Sequence, residues 1–149
     1  LKELTRMLAD QMESQRDELR QKLQIGIQWD TQVTSSNCQH LVTQVYASAL
    51  PVAYSQHPAQ LWSEFARLIL EASYESVMCA AILNASQTQS NKLFLTLLGG
   101  GAFGNHDSWI FDALERAIAL YKVYPLDVAI VSYGRSKPAV RELISRFKS

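Results

Sequence analysis

The chain of 149 residues (16.8 kDa), 48% of them hydrophobic, has the length and apolar content of one ordinary domain. Fourteen basic and fourteen acidic residues cancel, so the whole-chain field gives no pull toward nucleic acid or an anionic membrane, and any phosphate has to be met locally. Cys38 and Cys79 form no CxxC pair and have no His/Cys cluster beside them, which argues against a disulfide framework or a zinc site and fits a reducing cytoplasm. The longest apolar runs, such as Val77 to Leu83, fall short of the roughly 20 residues that cross a bilayer.

Leu8, Met12, Leu19 and Leu23 recur on one stripe among five acids and five bases spread over Lys2 to Lys22, which predicts an amphipathic helix whose stripe needs a partner surface. That pattern is already running at Leu1, so the chain is expected to be a piece of something longer. From Leu23 the period drops to two: Leu23, Ile25, Ile27 and Trp29 alternate with Gln24, Gly26, Gln28 and Asp30, as in a strand with one exposed face. After the polar turn 35–39, the run Leu41 to Tyr54 reads as a second strand, ending near Pro51. Pro58 opens a helix with Leu61, Phe65, Leu68, Ala72, Val77, Ala80 and Leu83 at helical spacing. Its second half is apolar nearly all round and is expected to be buried, ending in a loop at Asn84 to Asn91. Leu93 to Leu98 reads as a central parallel strand covered on both faces. A glycine turn, a helix carrying Ile110, Leu114, Ile118 and Tyr121, and a strand from Asp127 to Tyr133 then complete a βαβ unit. A last helix starts near Ser136 and Pro138. Strands alternating with helices predict an α/β fold, a three-layer α/β/α sandwich with a mixed sheet.

Four of the six glycines fall at Gly99, Gly100, Gly101 and Gly104, between the apolar strand and the helix that begins near Asp107. Glycine admits positive φ and lets a ligand approach the backbone, while the free N–H groups at a helix start point at an anion. The alternative is a tight strand-to-helix turn that needs glycine only for its shape. The spacing Gly99-x-Gly101-x-x-Gly104 also satisfies the dinucleotide fingerprint, with Ser132, Tyr133, Arg135 and Ser136 placed to suit NADP. A dinucleotide domain, however, normally opens with this unit and continues for several more strands.

The order of pieces is similar to the C-terminal half of a macrodomain, the α/β/α module that binds ADP-ribose. Val42 to Tyr54, Leu61 to Leu83, Leu93 to Leu98, Gly101-Ala102-Phe103-Gly104, Trp109 to Tyr121 and Asp127 to Tyr133 stand in that family's order. The resemblance spans about Leu41 to Phe147. It implies one macrodomain-like domain over 1–149, with a helix and strand in 1–40 and the C-terminal half in 41–149. The Gly-Ala-Phe-Gly turn, with Tyr133-Gly134 closing the next strand, resembles the poly(ADP-ribose) glycohydrolase branch. By that resemblance Gly99, Gly100, Gly101, Ala102, Phe103, Gly104 and Asn105 would form the ligand site. Backbone N–H groups would wrap the diphosphate, and Phe103 would pack on the distal ribose unless it is simply a core residue. The earlier half of a macrodomain, with its adenine-contacting acid and Asn/Gly-rich loop, has no counterpart before Leu41, and the Gln-Glu-Glu of the glycohydrolase signature is absent.

Asp30-Thr31-Gln32-Val33-Thr34 resembles a motif of a macrodomain branch, found partly among bacterial effectors, that removes ADP-ribose from proteins. This makes Asp30 the candidate catalytic carboxylate, against the plainer reading of an Asx-turn residue or N-cap. His40, His57 and His106 have no nucleophile or metal partner at readable spacing, though His106 follows the turn directly. Trp29, Trp62 and Trp109 read as core or cleft packing. Arg135, Lys137, Arg141, Arg146 and Lys148 against Glu142 form a basic C-terminal helix face. Three functions stay open: an ADP-ribosylhydrolase, which the turn favours, a non-catalytic ADP-ribose reader, and an NADP-binding oxidoreductase domain. The first two imply ADP-ribose or an ADP-ribosylated protein as partner and no cofactor, metal, nucleic acid or membrane. They imply a cytoplasmic location, or a host cytosol for a secreted effector.

Overall fold

The amphipathic N-terminal segment forms two helices rather than one, α1 (Lys2–Ala9) and α2 (Glu13–Arg20), in the computed structural model, which describes residues 1–35 and 37–147. Gln15 Oε1 accepts the Met12 N–H at 2.9 Å, which starts the second helix afresh. The break lets both helices lie on the long helix α3 (Ser63–Thr88), which covers the expected apolar stripe only in part: Leu8 is buried, while Met12, at the break, is 67% exposed. Leu8 buries itself there, and charge fastens the rest. Arg16 Nη1 meets Glu64 at 3.0 Å, and Arg20 reaches Glu71 through Nε and Nη2 at 2.9 and 2.7 Å and Asp17 at 2.6 Å. Arg20 is only 4% exposed. Burial by itself lowers its pKa, but the bonds to Glu71, Glu13 and Asp17 outweigh this and raise it, so the guanidinium stays charged.

β1 (Gly26–Gln32) and β2 (Leu41–Tyr46) pair antiparallel. Gln28 opposes Gln44 and Thr31 opposes Val42, so Trp29 and Asp30 together face Thr43: a β-bulge, with Asp30 at φ +52°. β2 stops at Tyr46, short of the expected end near Pro51, and a 3₁₀ turn at Val52–Tyr54 follows Pro51. α3 runs on through the expected loop at Asn84. Thr88 Oγ1 donates to the Asn84 carbonyl at 2.8 Å, and Asn84 Oδ1 accepts from Thr43 Oγ1 at 2.7 Å. At 26 residues α3 is long and apolar enough to cross a bilayer by length and composition, yet Glu64, Glu71 and Glu75 on it are paired by arginines of other elements, as befits a core helix. Its second half is not buried all round as expected: Leu83 is exposed, and the buried residues run from Ala66 to Ala80.

β3 (Lys92–Thr96), α4 (Asp107–Tyr121) and β4 (Asp127–Val131) form the expected βαβ unit with a parallel pair, and α5 (Pro138–Phe147) packs on α4. α3 and α4 run side by side in one direction, joined by Arg67–Asp112, Glu75–Arg116 and Cys79–Tyr121. Leu70, Met78, Leu95, Ile110, Leu114 and Leu143 are at the centre of the core. The α/β class therefore holds, while the strands pair as two separate two-stranded sheets, β1–β2 and β3–β4. β3 is covered on one face only. Leu93 and Leu95 face the core, and Phe94, on the opposite face, is 67% exposed. An apolar run alone does not distinguish a strand covered on both faces from one with an exposed phenylalanine.

Candidate functional site

β3 is tied to α3 just before the glycines. The Tyr74 hydroxyl donates to the Thr96 carbonyl at 2.8 Å and accepts the Leu98 N–H at 2.8 Å. Burial pushes this phenol up to about 12 despite the Leu98 bond, which works the other way. The chain then turns through Gly99 at φ +76°, Gly101 at +64° and Gly104 at +69°. Residues Gly101–Phe103 make one 3₁₀ turn closed by Gly104 N–H to Gly101 O at 3.0 Å, and α4 follows.

The three positive-φ glycines do different work. A Cβ at Gly99 would stand 2.4 Å from the Ala49 Cβ, and one at Gly104 would stand 2.6 Å from that of Ala53, so both exist to let the turn close on the segment after β2. Asn105, 5% exposed, locks this contact by donating Nδ2 to the Leu50 carbonyl at 2.8 Å and to Gly99 O at 3.1 Å. Gly101 has nothing within 4 Å of such a Cβ and is exposed. The N–H groups of Gly101, Ala102 and Phe103 open the 3₁₀ turn and so have no acceptor within it. Backbone donors therefore border open space at the carboxyl ends of the parallel strands β3 and β4, where ligands of α/β sheets bind.

Of the other expected ligand residues, Ala102 is exposed. Phe103 is half-buried, and its ring meets Tyr54 edge-on at 5.8 Å. Phe103 packs against the core and also borders the turn. Tyr54, 69% exposed, also borders the turn; it lies in the 3₁₀ turn after Pro51, the expected end of the strand, and no local pattern in the sequence marks it. His106 takes the N-cap position of α4 and its ring lies 4.6 Å from that of Trp109, tilted by 41°, while Asp107 pairs with Lys137 at 2.8 Å. Tyr133 and Arg135, offered for NADP, follow β4, Tyr133 fully in solvent and Arg135 exposed; Ser132 is half-buried with its Oγ unpartnered among the described residues.

Asp30 is not brought to the turn. It sits on the bulge opposite Thr43, six residues before Ala49, a stretch on the order of 20 Å of extended chain. It lines a groove of about 970 Å³ between β2, α3 and β3, with His40 near it and Leu98 toward the turn. His57 is in an exposed loop, and Trp29 sits on the bulge, 39% exposed. In the basic helix face, Lys137 and Arg146 are paired with Asp107 and Glu115, and Lys148 lies outside the described residues, as does Ser36 of the turn 35–39. Among the described residues no group of His, Cys, Asp or Glu is arranged to hold a metal ion.

No protein-family model, no curated protein and no solved structure matches this chain.

Proposed function

We propose that the chain is a macrodomain-like ADP-ribose-binding module whose turn Gly99–Asn105 holds the diphosphate. The observation that supports this most is Gly101, left-handed, exposed and with empty space where a side chain would stand, set between two glycines whose space is filled. Close packing calls for glycine at Gly99 and Gly104; at Gly101 only the left-handed backbone does, no neighbour stands in the way, and what the position leaves bare is backbone N–H. The Phe103–Tyr54 pair beside it offers an aromatic surface for a ribose or base. Hydrolysis would require a carboxylate at the anomeric carbon of a ribose lying against Phe103. Asp30 faces the far part of the groove instead, so the geometry favours a reader over a hydrolase. Calorimetry with ADP-ribose, ADP, NADP and inorganic phosphate tests the reading: ADP-ribose binds tightest and phosphate weakest. Preferential NADP binding returns the site to the dinucleotide class, and no binding of any of the four removes the turn as a site.

A further inference from the structure

We infer that the groove between β2 and β3 is a slot for one extended peptide strand, filled by a linear segment that belongs to no sheet before it docks. Its walls are strand edges: among the described residues β2 pairs only with β1, and β3 only with β4. The two edges run in the same direction. Thr43 on β2 is tied to Asn84 late in α3 and Ser48 to Ser73 earlier, and on the other wall β3 begins just after α3 ends and reaches Tyr74 at Thr96. Strand edges carry N–H and C=O groups at a fixed repeat, and another extended backbone is the partner that matches that repeat along both walls at once. The floor is the apolar side of α3, with Val77, Ala80 and Ala81, and Leu41 and Phe94 stand exposed on the walls. Two-stranded sheets are marginal alone, and a fifth strand here would join both pairs into one sheet.

The same geometry describes the occupant. It must have both edges free, and each strand of a second copy already has one edge paired, so a second copy covers one wall but does not fill the slot. β3 offers five residues, which sets the length of the docked core. The charged lining groups, Asp30 and Lys92, both lie toward the ends where β2 and β3 begin, so the core of the peptide is neutral, with small apolar side chains at alternate positions toward α3 and no proline.

The test uses the capped heptapeptide acetyl-Thr-Val-Thr-Val-Thr-Val-Thr-amide and amide hydrogen exchange read by NMR. Saturable binding is expected, with exchange slowed roughly tenfold or more at alternate amides in both 41–46 and 92–96. Placing proline at the central valine weakens binding by about tenfold or more, because it removes a ladder donor. Ala81→Arg, which fills the floor, weakens binding while its melting curve stays cooperative. Protection in only one strand or in neither, equal binding of the proline peptide, or a concentration-dependent dimer that protects both edges without peptide would each overturn the inference.

Discussion

Replacing Gly99, Gly101 and Gly104 one at a time by alanine separates the glycines that close the turn from the one that leaves it open. All three sit in the left-handed region, where a Cβ costs about 1–2 kcal/mol, partly offset by the lower entropy of the unfolded alanine chain. At Gly101 that is the whole cost. At Gly99 the new methyl would overlap Ala49 and the bonded Asn105 side chain, and at Gly104 it would overlap the Cβ, N and Cα of Ala53, atoms that cannot swing aside. Such overpacking adds about 1–3 kcal/mol. For a domain of this size Gly99→Ala and Gly104→Ala therefore melt about 2–12 °C below Gly101→Ala. Scanning calorimetry reads the difference, and Ala53→Gly in the Gly104→Ala background restores part of it. Equal melting temperatures for all three would mean that the turn does not close on Ala49 and Ala53, and the division of roles would be wrong.

Three further outcomes follow from the same geometry. Tyr74→Phe strips the partner from the Leu98 N–H and one from the Thr96 carbonyl, costing about 1–3 kcal/mol in urea unfolding. Because the folded phenol titrates near 12 and the unfolded one near 10.0, the parent keeps this stabilisation below about pH 10 and loses it as pH rises toward 12, on the order of 2–3 kcal/mol, and Tyr74→Phe flattens that decline. Arg20→Met leaves Glu71 with only the more distant Arg16 at 3.8 Å and lowers stability by about 1–3 kcal/mol; a neutral result would show that the packing of α2 on α3 does not depend on the Arg20–Glu71 pair. Asp30→Gly relieves a left-handed backbone and is close to neutral in melting temperature, Asp30→Val costs about 1–2 kcal/mol, and neither alters ADP-ribose affinity.

The parts of this fold that were legible in the sequence are those where local pattern and tertiary role coincide. The βαβ unit from Lys92 to Val131 was readable because a short apolar run, a glycine turn and a 3.6-residue stripe each point to one structure. The α1–α2 break was hidden because helical spacing continues across Asp10–Met12, and what bends the chain is Gln15 capping Met12 together with arginines that find Glu64 and Glu71 some fifty residues away. At Asn84 the helix that continues to Thr88 also receives a hydrogen bond from Thr43 across the fold, a contact no local pattern announces. In the site, the glycines announced themselves, but their division into packed and open positions did not, since it is decided by Ala49 and Ala53. Asp30 stood out through the motif Asp30 to Thr34, and the structure places it on a bulge at positive φ, which aspartate tolerates.

The central claim, that open backbone at Gly101 receives a diphosphate, is tested most directly by calorimetric titration of ADP-ribose into the parent chain and into Gly101→Glu. No heavy atom lies within 4 Å of a Cβ at this exposed position, so the variant is expected to fold, with a melting temperature lowered by the cost of its left-handed backbone. Its carboxylate occupies the space the diphosphate needs and repels it, and affinity falls by about a hundredfold or more. A folded Gly101→Glu that binds ADP-ribose as tightly as the parent would contradict the claim and leave Gly99–Gly104 a turn and nothing more.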